Sequence, residues 1–413
     1  MTSRLPDRCD VVITGLGVTT AVGQGKDDFT AALFEGRHAF APMRRPGRSL
    51  PDEVAARFLG AEIAELSVPE EFPARVLRTA SLSARVALAT LSEAWHEAGL
   101  DEADPTRIGL VVGGSNVQQR ELIQAHSRHV DHPEFVRPSY GLTFMDSDLC
   151  GLCTELFPIR SFAHTLGGAS ASGQLAVLQA VRAVRSGQVD VCIALGALMD
   201  LSYWEFLAFR AMGAMGSQRF ADDPGAACRP FDRQRDGFLY GEACGAVVVE
   251  REGARRHPEP YARVLGTATA VDGNRNPDPS LAGEVSVIRG ALAEAGLTAD
   301  DIDYVNPHGT GSVLGDDTEL RALAECGLGH ARINATKSIT GHGLTAAGAV
   351  EIVATLLQMR ERRLHPTRNL EDPVDPSFGW VREKALPYDV GTAISLSMGF
   401  GGLSSAICLR KWR

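Results

Sequence analysis

Four short stretches of this 413-residue chain set reactive side chains beside backbone that could approach a ligand. The first is Gly167-Gly168-Ala169-Ser170-Ala171-Ser172-Gly173, small residues leading into an apolar helix expected to begin near Gln174. Free N–H groups and the macrodipole at such a terminus favour negative charge, which suits Ser170 as a nucleophile or as the neighbour of an oxyanion. A turn built only for tight helix packing accounts for the same residues. Ser172 stands where the second glycine of a G-x-S-x-G elbow belongs, which weakens a hydrolase reading.

The second stretch, Val305-Asn306-Pro307-His308-Gly309-Thr310-Gly311-Ser312, is a strand running into a histidine and a glycine-rich loop. His308 could donate a hydrogen bond into a cleft there, although a structural histidine fits equally. The third, residues 336–343, puts Lys337 five positions before His342, with Glu351 on the helix that follows. Only Lys26, Lys337, Lys384 and Lys411 are lysines, so composition alone does not readily place one inside a dense motif, though a loop lysine is ordinarily solvated. The fourth, Met398-Gly399-Phe400-Gly401-Gly402, has glycines that let the main chain come close to a ligand, or that simply turn after a strand over 393–396. Gly15-Leu16-Gly17-Val18-Thr19-Thr20 lacks the last glycine of a dinucleotide fingerprint, and no nicotinamide cofactor is expected.

These stretches need rigid elements to position them. Apolar runs predict strands over 11–13, 108–112, 189–194 and 245–250 and a helix over 81–98, an α/β alternation. The run HEAGLDEADPTRIGLVVGGS from His96 aligns without gaps to AEAGLTADDIDYVNPHGTGS from Ala293, and SASGQLAVLQAVRAV from Ser170 resembles TAAGAVEIVATLLQM from Thr345. Repeats in the same order predict a duplicated chain. The expected halves are 1–250, carrying Ser170, and 251–413, carrying His308 and His342, with the polar stretch 251–260 at their junction and the site where they meet. Residues 115–160 read as an insertion in the first half, without a function of their own.

Composition narrows the classes. A content of 44% hydrophobic and 22% charged residues is that of a globular protein. A net charge of -10 argues against a nucleic-acid surface. Eight scattered cysteines, with Cys150 and Cys153 lacking a second pair, predict reduced thiols in a cytoplasm and no metal site. No apolar run approaches the roughly 18 residues of a membrane helix. A soluble, unexported chain with no membrane partner is expected.

In order and wording the four stretches resemble the β-ketoacyl synthases, the thiolase-fold condensing enzymes of fatty-acid and polyketide synthesis. The likeness rests on Ala169-Ser170-Ala171-Ser172-Gly173, on Pro230-Phe231-Asp232 through Arg235-Asp236-Gly237-Phe238 to Gly241-Glu242, and on His308, Lys337, His342, Gly348, Glu351 and Phe400. It spans nearly the whole chain, from Ile13-Thr14-Gly15-Leu16-Gly17 onward. It implies a thiolase-like α/β fold of two related halves in five layers (αβαβα) and, usually, a homodimer. It also implies two histidines that stabilise the enolate formed when a malonyl group loses carbon dioxide, with Lys337 and Glu351 supporting them.

Three positions depart from the family pattern. Gly311 replaces a common hydroxyl residue, Met398 and Ser404 flank the GFGG run unusually, and Ser170 stands where the family has its nucleophilic cysteine. A thiol titrates near about 8.5 and a helix end lowers it further. A hydroxyl is far less acidic, and a terminus worth about 0.3–1 kcal/mol, up to about 2, does not close that gap. Enolate formation needs no thiolate, only donors.

Ser-for-Cys homologues that keep both histidines resemble the stand-alone decarboxylases of polyketide β-branching cassettes, which convert malonyl-acyl carrier protein to the acetyl form. On that resemblance Ser170 and Phe400 offer backbone N–H groups to a thioester oxygen, Phe400 also gating. Thr310 and Ser312 line a phosphopantetheine tunnel, and the partner is an acyl carrier protein bearing the substrate, with no free cofactor. Arg360, Arg362 and Arg363 are candidates for its docking patch, although solvated charges at a helix end explain them too. Two rivals are an acyltransferase or condensing enzyme using Ser170 as nucleophile, and a non-catalytic partner subunit comparable to a chain-length factor.

Overall fold

The computed structural model describes residues 10–49, 58–255 and 259–413; residues 256–258 of the expected junction, with 1–9 and 50–57 of the expected first half, lie outside the described residues. The strands along the main sheet are β1 (Val11–Thr20), β2 (Ile108–Gly113), β3 (Phe162–Leu166), β4 (Val191–Gly196), β5 (Ala243–Arg251), β6 (Ala262–Val271), β7 (Tyr304–Asn306), β8 (Arg332–Ile333), β9 (Gly379–Trp380), β10 (Thr392–Gly399) and β11 (Leu403–Lys411). They pair in the order β3-β2-β4-β5-β1-β6-β11-β10-β7-β8-β9.

That path contains one arrangement twice. In β1-β5-β4-β2-β3 the first two pairings are antiparallel and the last two parallel. In β6-β11-β10-β7-β8 the same holds strand for strand. β1 and β6 join the two sheets through only two residue pairs, Val12 with Arg263 and Ile13 with Ala262. Even the bulges correspond, falling between Ile13 and Gly15 in β1 and between Val264 and Gly266 in β6.

Five helices complete the layers: α1 (Leu82–Glu97), α2 (Ser172–Arg185), α3 (Leu281–Ala295), α4 (Val313–Glu325) and α5 (Ala347–Glu361). α1 covers the outer face of the first sheet, α2 and α5 lie between the sheets, and α3 and α4 cover the outer face of the second. Strand alternation feeds these layers. On β4, Val191, Ile193 and Leu195 pack toward α1, and Cys192 and Ala194 toward α2 and α5. On β11, Ala406 and Cys408 face α3, and Ile407 and Leu409 face the middle helices. Both faces of each sheet are covered, so its strands read as continuous apolar runs. The fold is the expected five-layered αβαβα arrangement.

β1 runs seven residues past the 11–13 expected from its apolar run, because Gly15 and Gly17 continue it. A Cβ on Gly17 would lie 2.0 Å from the Thr90 carbonyl oxygen and one on Gly15 would lie 2.7 Å from that of Ala94, so both glycines seat α1 against the sheet. Leu16 N–H donates to Glu97 at 2.6 Å and Val18 N–H to Glu93 at 2.9 Å. Gly266 seats α3 in the same way, and Thr267 N–H donates to Glu294 at 2.6 Å. In 115–160, the helix Ser147–Leu156 buries Leu149, Cys150 and Cys153 in the α1 core, so the end of that segment belongs to the first half's core rather than being an appendage. Among the described residues no helix is long and apolar enough to cross a membrane.

Candidate active site

Ser170 sits in the single 3-10 turn Ala169–Ala171 that precedes α2, which begins at Ser172, two residues before the expected start. Ala169 holds a left-handed φ of 47°, a conformation rare for a residue with a Cβ. The Ser172 hydroxyl stabilises the turn, donating to Ala169 O at 2.7 Å and accepting from Gly168 N at 2.9 Å. The residue that breaks the hydrolase elbow is therefore a brace for the turn. In the second half Leu344 takes a φ of 50° one residue before Thr345, the repeat partner of Ser170. The helices that follow cross at glycines: a Cβ on Gly173 would lie 2.8 Å from Ala349 N, and one on Gly348 would lie 2.8 Å from Gln174 Cβ.

That crossing brings His342 Nε2 to 3.0 Å from Ser170 Oγ. His342 Nδ1 accepts from Leu344 N–H at 3.3 Å, which leaves the ring proton on Nε2. His342 therefore donates to Ser170 Oγ. The His308 ring stands 5.5 Å from that of His342, nearly perpendicular at 83°. Its Nδ1 faces Lys337 Nζ at 3.4 Å, and an ammonium only donates, so the His308 proton is also on Nε2. Burial, then the Lys337 charge, then His342 hold the His308 pKa well below the ordinary imidazole value; burial and Lys337 do the same for His342. Two neutral imidazoles thus carry their N–H groups on Nε2.

Lys337 is not a solvated loop residue. It opens the short helix Lys337–Thr340, is 2% exposed, and donates to the His308 carbonyl and to Glu351. Burial raises the Glu351 carboxyl to about 7, with Lys337 pulling it back down.

The motifs outside the four stretches prove to be supports. His342 N–H donates to Leu239 O at 2.7 Å, Gly241 N–H to His342 O at 3.1 Å, and the Phe238 ring stands edge-on to His342 at 5.2 Å. Phe231 N–H donates to Asp316 at 2.6 Å, and its ring packs where a Gly309 side chain would otherwise project. Glu319 accepts from His308 N–H at 2.6 Å and Gly309 N–H at 2.8 Å, fixing the histidine loop.

A cavity of about 320 Å³ opens over this constellation, and Ser170, His308, His342, Thr310, Ser312 and Phe400 all line it. Lys337 and Glu351 stand behind the histidines. A Cβ on Gly399 would lie 2.2 Å from Gly168 O, so only glycine lets the Phe400 loop lie against the Ser170 turn. Phe400 is 39% exposed and edge-on to Phe209. Ser312 also caps α4, its hydroxyl accepting from Gly315 N–H at 3.1 Å, and Thr310 Oγ1 accepts from Ser312 N–H.

Three buried cavity carboxyls, Glu284, Asp316 and Glu319, were missed from sequence. The spacing of Asp316 and Glu319 along a helix after His308 was the available signal, whereas Glu284 reads as an ordinary acid in a first helical turn. Arg360 lies over the Tyr261 ring, Arg363 over Phe34, and Arg362 sits 3.7 Å from Asp389. None of the three lines the cavity, and each is engaged with its own fold.

Residues 8–254 match the family of the β-ketoacyl synthase N-terminal domain, and residues 261–371 that of the C-terminal domain. The chain is 59% identical over 404 residues to the polyketide biosynthesis malonyl-ACP decarboxylase PksF of Bacillus subtilis (strain 168), covering 97% of this chain and 96% of the relative. It is 28% identical to the 3-oxoacyl-[acyl-carrier-protein] synthase 2 of Coxiella burnetii, over 97% of this chain and 98% of that one. Among solved structures, a β-ketoacyl synthase from Burkholderia phymatum STM815 superposes with a TM-score of 0.86 at 27% identity, covering 98% of this chain and all of that one. A type II polyketide ketosynthase in complex with its acyl carrier protein gives 0.85 at 25% identity, with the same coverage.

Proposed function

The chain belongs to the β-ketoacyl synthase family, and from that premise we propose that it removes carbon dioxide from malonyl-acyl carrier protein, leaving the acetyl thioester, in bacterial polyketide biosynthesis of the β-branching kind. The observation that carries this reading is the pair of neutral imidazoles with Nε2–H groups on one cavity. Two such donors meet the enolate oxygen that forms as carbon dioxide leaves, His342 turning its N–H from Ser170 Oγ toward that oxygen. The same tautomer argues against acyl loading. A serine needs an imidazole lone pair to take its proton, and His342 turns its N–H, not its lone pair, toward Ser170.

The remaining residues take roles around that centre. Ser170 Oγ is a polar anchor for His342 and a small side chain beneath the thioester. Ser170 and Phe400 offer backbone N–H groups along the thioester, and the Phe400 ring gates the cavity. Thr310 and Ser312 keep their hydroxyl hydrogens free to donate to the amides of phosphopantetheine, on which the carrier brings its malonyl group. Lys337 and Glu351 hold His308 in its tautomer. The 59% identity to a malonyl-ACP decarboxylase supports the reaction, and the carrier-bound ketosynthase of the same fold supports the partner. A homodimer is supported by β3, which ends its sheet with one edge unpaired among the described residues, and by exposed Phe135, Leu142 and Phe144 in 115–160.

The test is the intact mass of malonyl-loaded carrier protein incubated with wild type, Ser170→Cys and His308→Ala. Loss of carbon dioxide from the carrier-bound group with no acyl group on the wild-type enzyme, abolished in His308→Ala, is expected. Intact malonyl, or an acyl group moving onto Ser170 and then to an acceptor, overturns the proposal.

A further inference from the structure

Decarboxylation makes a demand that the donors described so far do not meet, and this inference rests on the decarboxylase reading above. When the bond from Cα to the carboxylate carbon breaks, carbon dioxide leaves and the electron pair remains as the enolate. The methyl group of the acetyl product then requires one proton on Cα. Most groups around the cavity are poor sources of it. A neutral imidazole that gave up its N–H would become an imidazolate, and the Ser170, Thr310 and Ser312 hydroxyls are weak acids. Lys337 is tied to Glu351 and the His308 carbonyl. Asp272 and Asp278 lie exposed on the cavity wall, open to solvent.

One acid remains. Glu284, in the first turn of α3, lines the same cavity and is 2% exposed. Its Oε2 is buried without a hydrogen-bond partner among the described residues. Its charged neighbours are carboxyls: Glu319 and Asp316, both on α4. Those two have donors of their own. Glu319 takes the His308 and Gly309 N–H groups, while Asp316 takes those of Phe231 and Gly311 and stands 3.5 Å from Arg235. Fixed N–H donors favour a charged carboxylate, whereas burial without one favours the protonated form. Burial first, then Glu319 and Asp316, push Glu284 up; burial raises Glu319 too, but its Gly309 and His308 N–H donors pull it back, so the pair holds its proton on the carboxyl that lacks donors.

We infer that Glu284 is the acid of the reaction: its carboxyl proton passes, directly or through one water, to Cα of the enolate. A C–H bond forms, the O–H bond breaks, and the Glu284 carboxylate left behind regains a proton from solvent. The net change is malonyl thioester plus one solvent proton to acetyl thioester plus carbon dioxide.

The experiment follows malonyl-carrier protein in ¹³C-labelled carbon dioxide, reading both acetyl formation and label exchanged into unreacted malonyl. In Glu284→Gln, acetyl formation should fall by about 100-fold or more, the range for loss of a general acid. Exchange should persist, because the enolate still forms and recaptures carbon dioxide. Glu284→Asp, which keeps an acid, should retain much of the acetyl formation and show less exchange relative to product. Wild-type product rates in Glu284→Gln, or product and exchange falling together in a variant that melts with wild type, overturn the inference. If wild type gives neither product nor exchange, the decarboxylase reading fails and this inference with it.

Discussion

On the decarboxylase reading, the chemistry of this chain turns on which nitrogen of each histidine carries the proton. The backbone N–H of Leu344 settles His342, and the Lys337 ammonium settles His308. Each imidazole is thereby a donor by construction. His308→Ala should lower the rate of acetyl-carrier formation by about 100- to 1000-fold, the usual consequence of losing one oxyanion donor, as read by intact mass over time. Ser170→Ala removes the acceptor of the His342 N–H and leaves both imidazole donors in place. It should therefore stay within about tenfold of wild type in the same assay, where a nucleophilic serine would lose far more, about 10⁴-fold or beyond. Lys337 was legible as a rare lysine in a dense motif, but only burial reveals that it serves His308. Glu284 was not legible: its role comes from two acids 32 and 35 positions later on another helix, a proximity that no local pattern carries.

At the scale of elements, α2 and α5 set the distance between Ser170 and His342, and Gly173 and Gly348 let them approach. Gly173→Val would push a branched side chain into Ala349 N and Thr345 O, 2.8 and 2.9 Å from the first added carbon alone. Overpacking of this kind costs about 1–3 kcal/mol. We expect a lower melting temperature in calorimetry, with activity lost beyond the fraction unfolded because the helix spacing is also the site spacing. An unchanged melting point would refute the packing argument. The repeats visible in sequence foretold this pair of helices, since small-residue turns opening apolar helices recur in order. β1 was cut short because a strand containing two glycines violates local preference, and the helix that needs them lies some seventy residues later.

For the molecule as a whole, stability should respond to pH through its buried acids. Burial holds His38, His308, His342 and His365 low and raises Asp316 to about 6 and Glu351 to about 7, with Glu284 and Glu319 also raised. Below about pH 6.5 the unfolded chain protonates histidines that the fold keeps neutral, while the fold holds protons on carboxyls that the unfolded chain releases. The two effects oppose. Above about pH 7 the raised carboxyls, joined toward pH 9 by thiols that burial also pushes up, hold protons that the unfolded chain releases, so the native state binds more protons than the unfolded one and stability falls as pH rises. The melting temperature should thus decline from about pH 7 to about pH 9, and Glu284→Gln should flatten that decline. A flat wild-type profile would remove the protonated cluster from consideration. In solution the protein should run in light scattering at twice its 44.1 kDa chain mass, and Leu142→Asp with Phe144→Asp should shift it toward one. A wild-type species of single-chain mass would leave the edge of β3 unexplained.

The matched turns at Ala169 and Leu344 bear on ancestry. Two like halves furnish two places for a hydroxyl at this turn, and only one faces the cavity: Thr345, the counterpart of Ser170, spends its hydroxyl on the Ala197 carbonyl at 2.7 Å. By the same alignments His342 answers to Gly167 and His308 to Val111. The serine turn thus stands in one half and both histidines in the other. On the decarboxylase reading the site is therefore assembled across the junction, Ser170 from one copy of the repeat and His308 and His342 from the other, so that neither copy alone would carry the reaction.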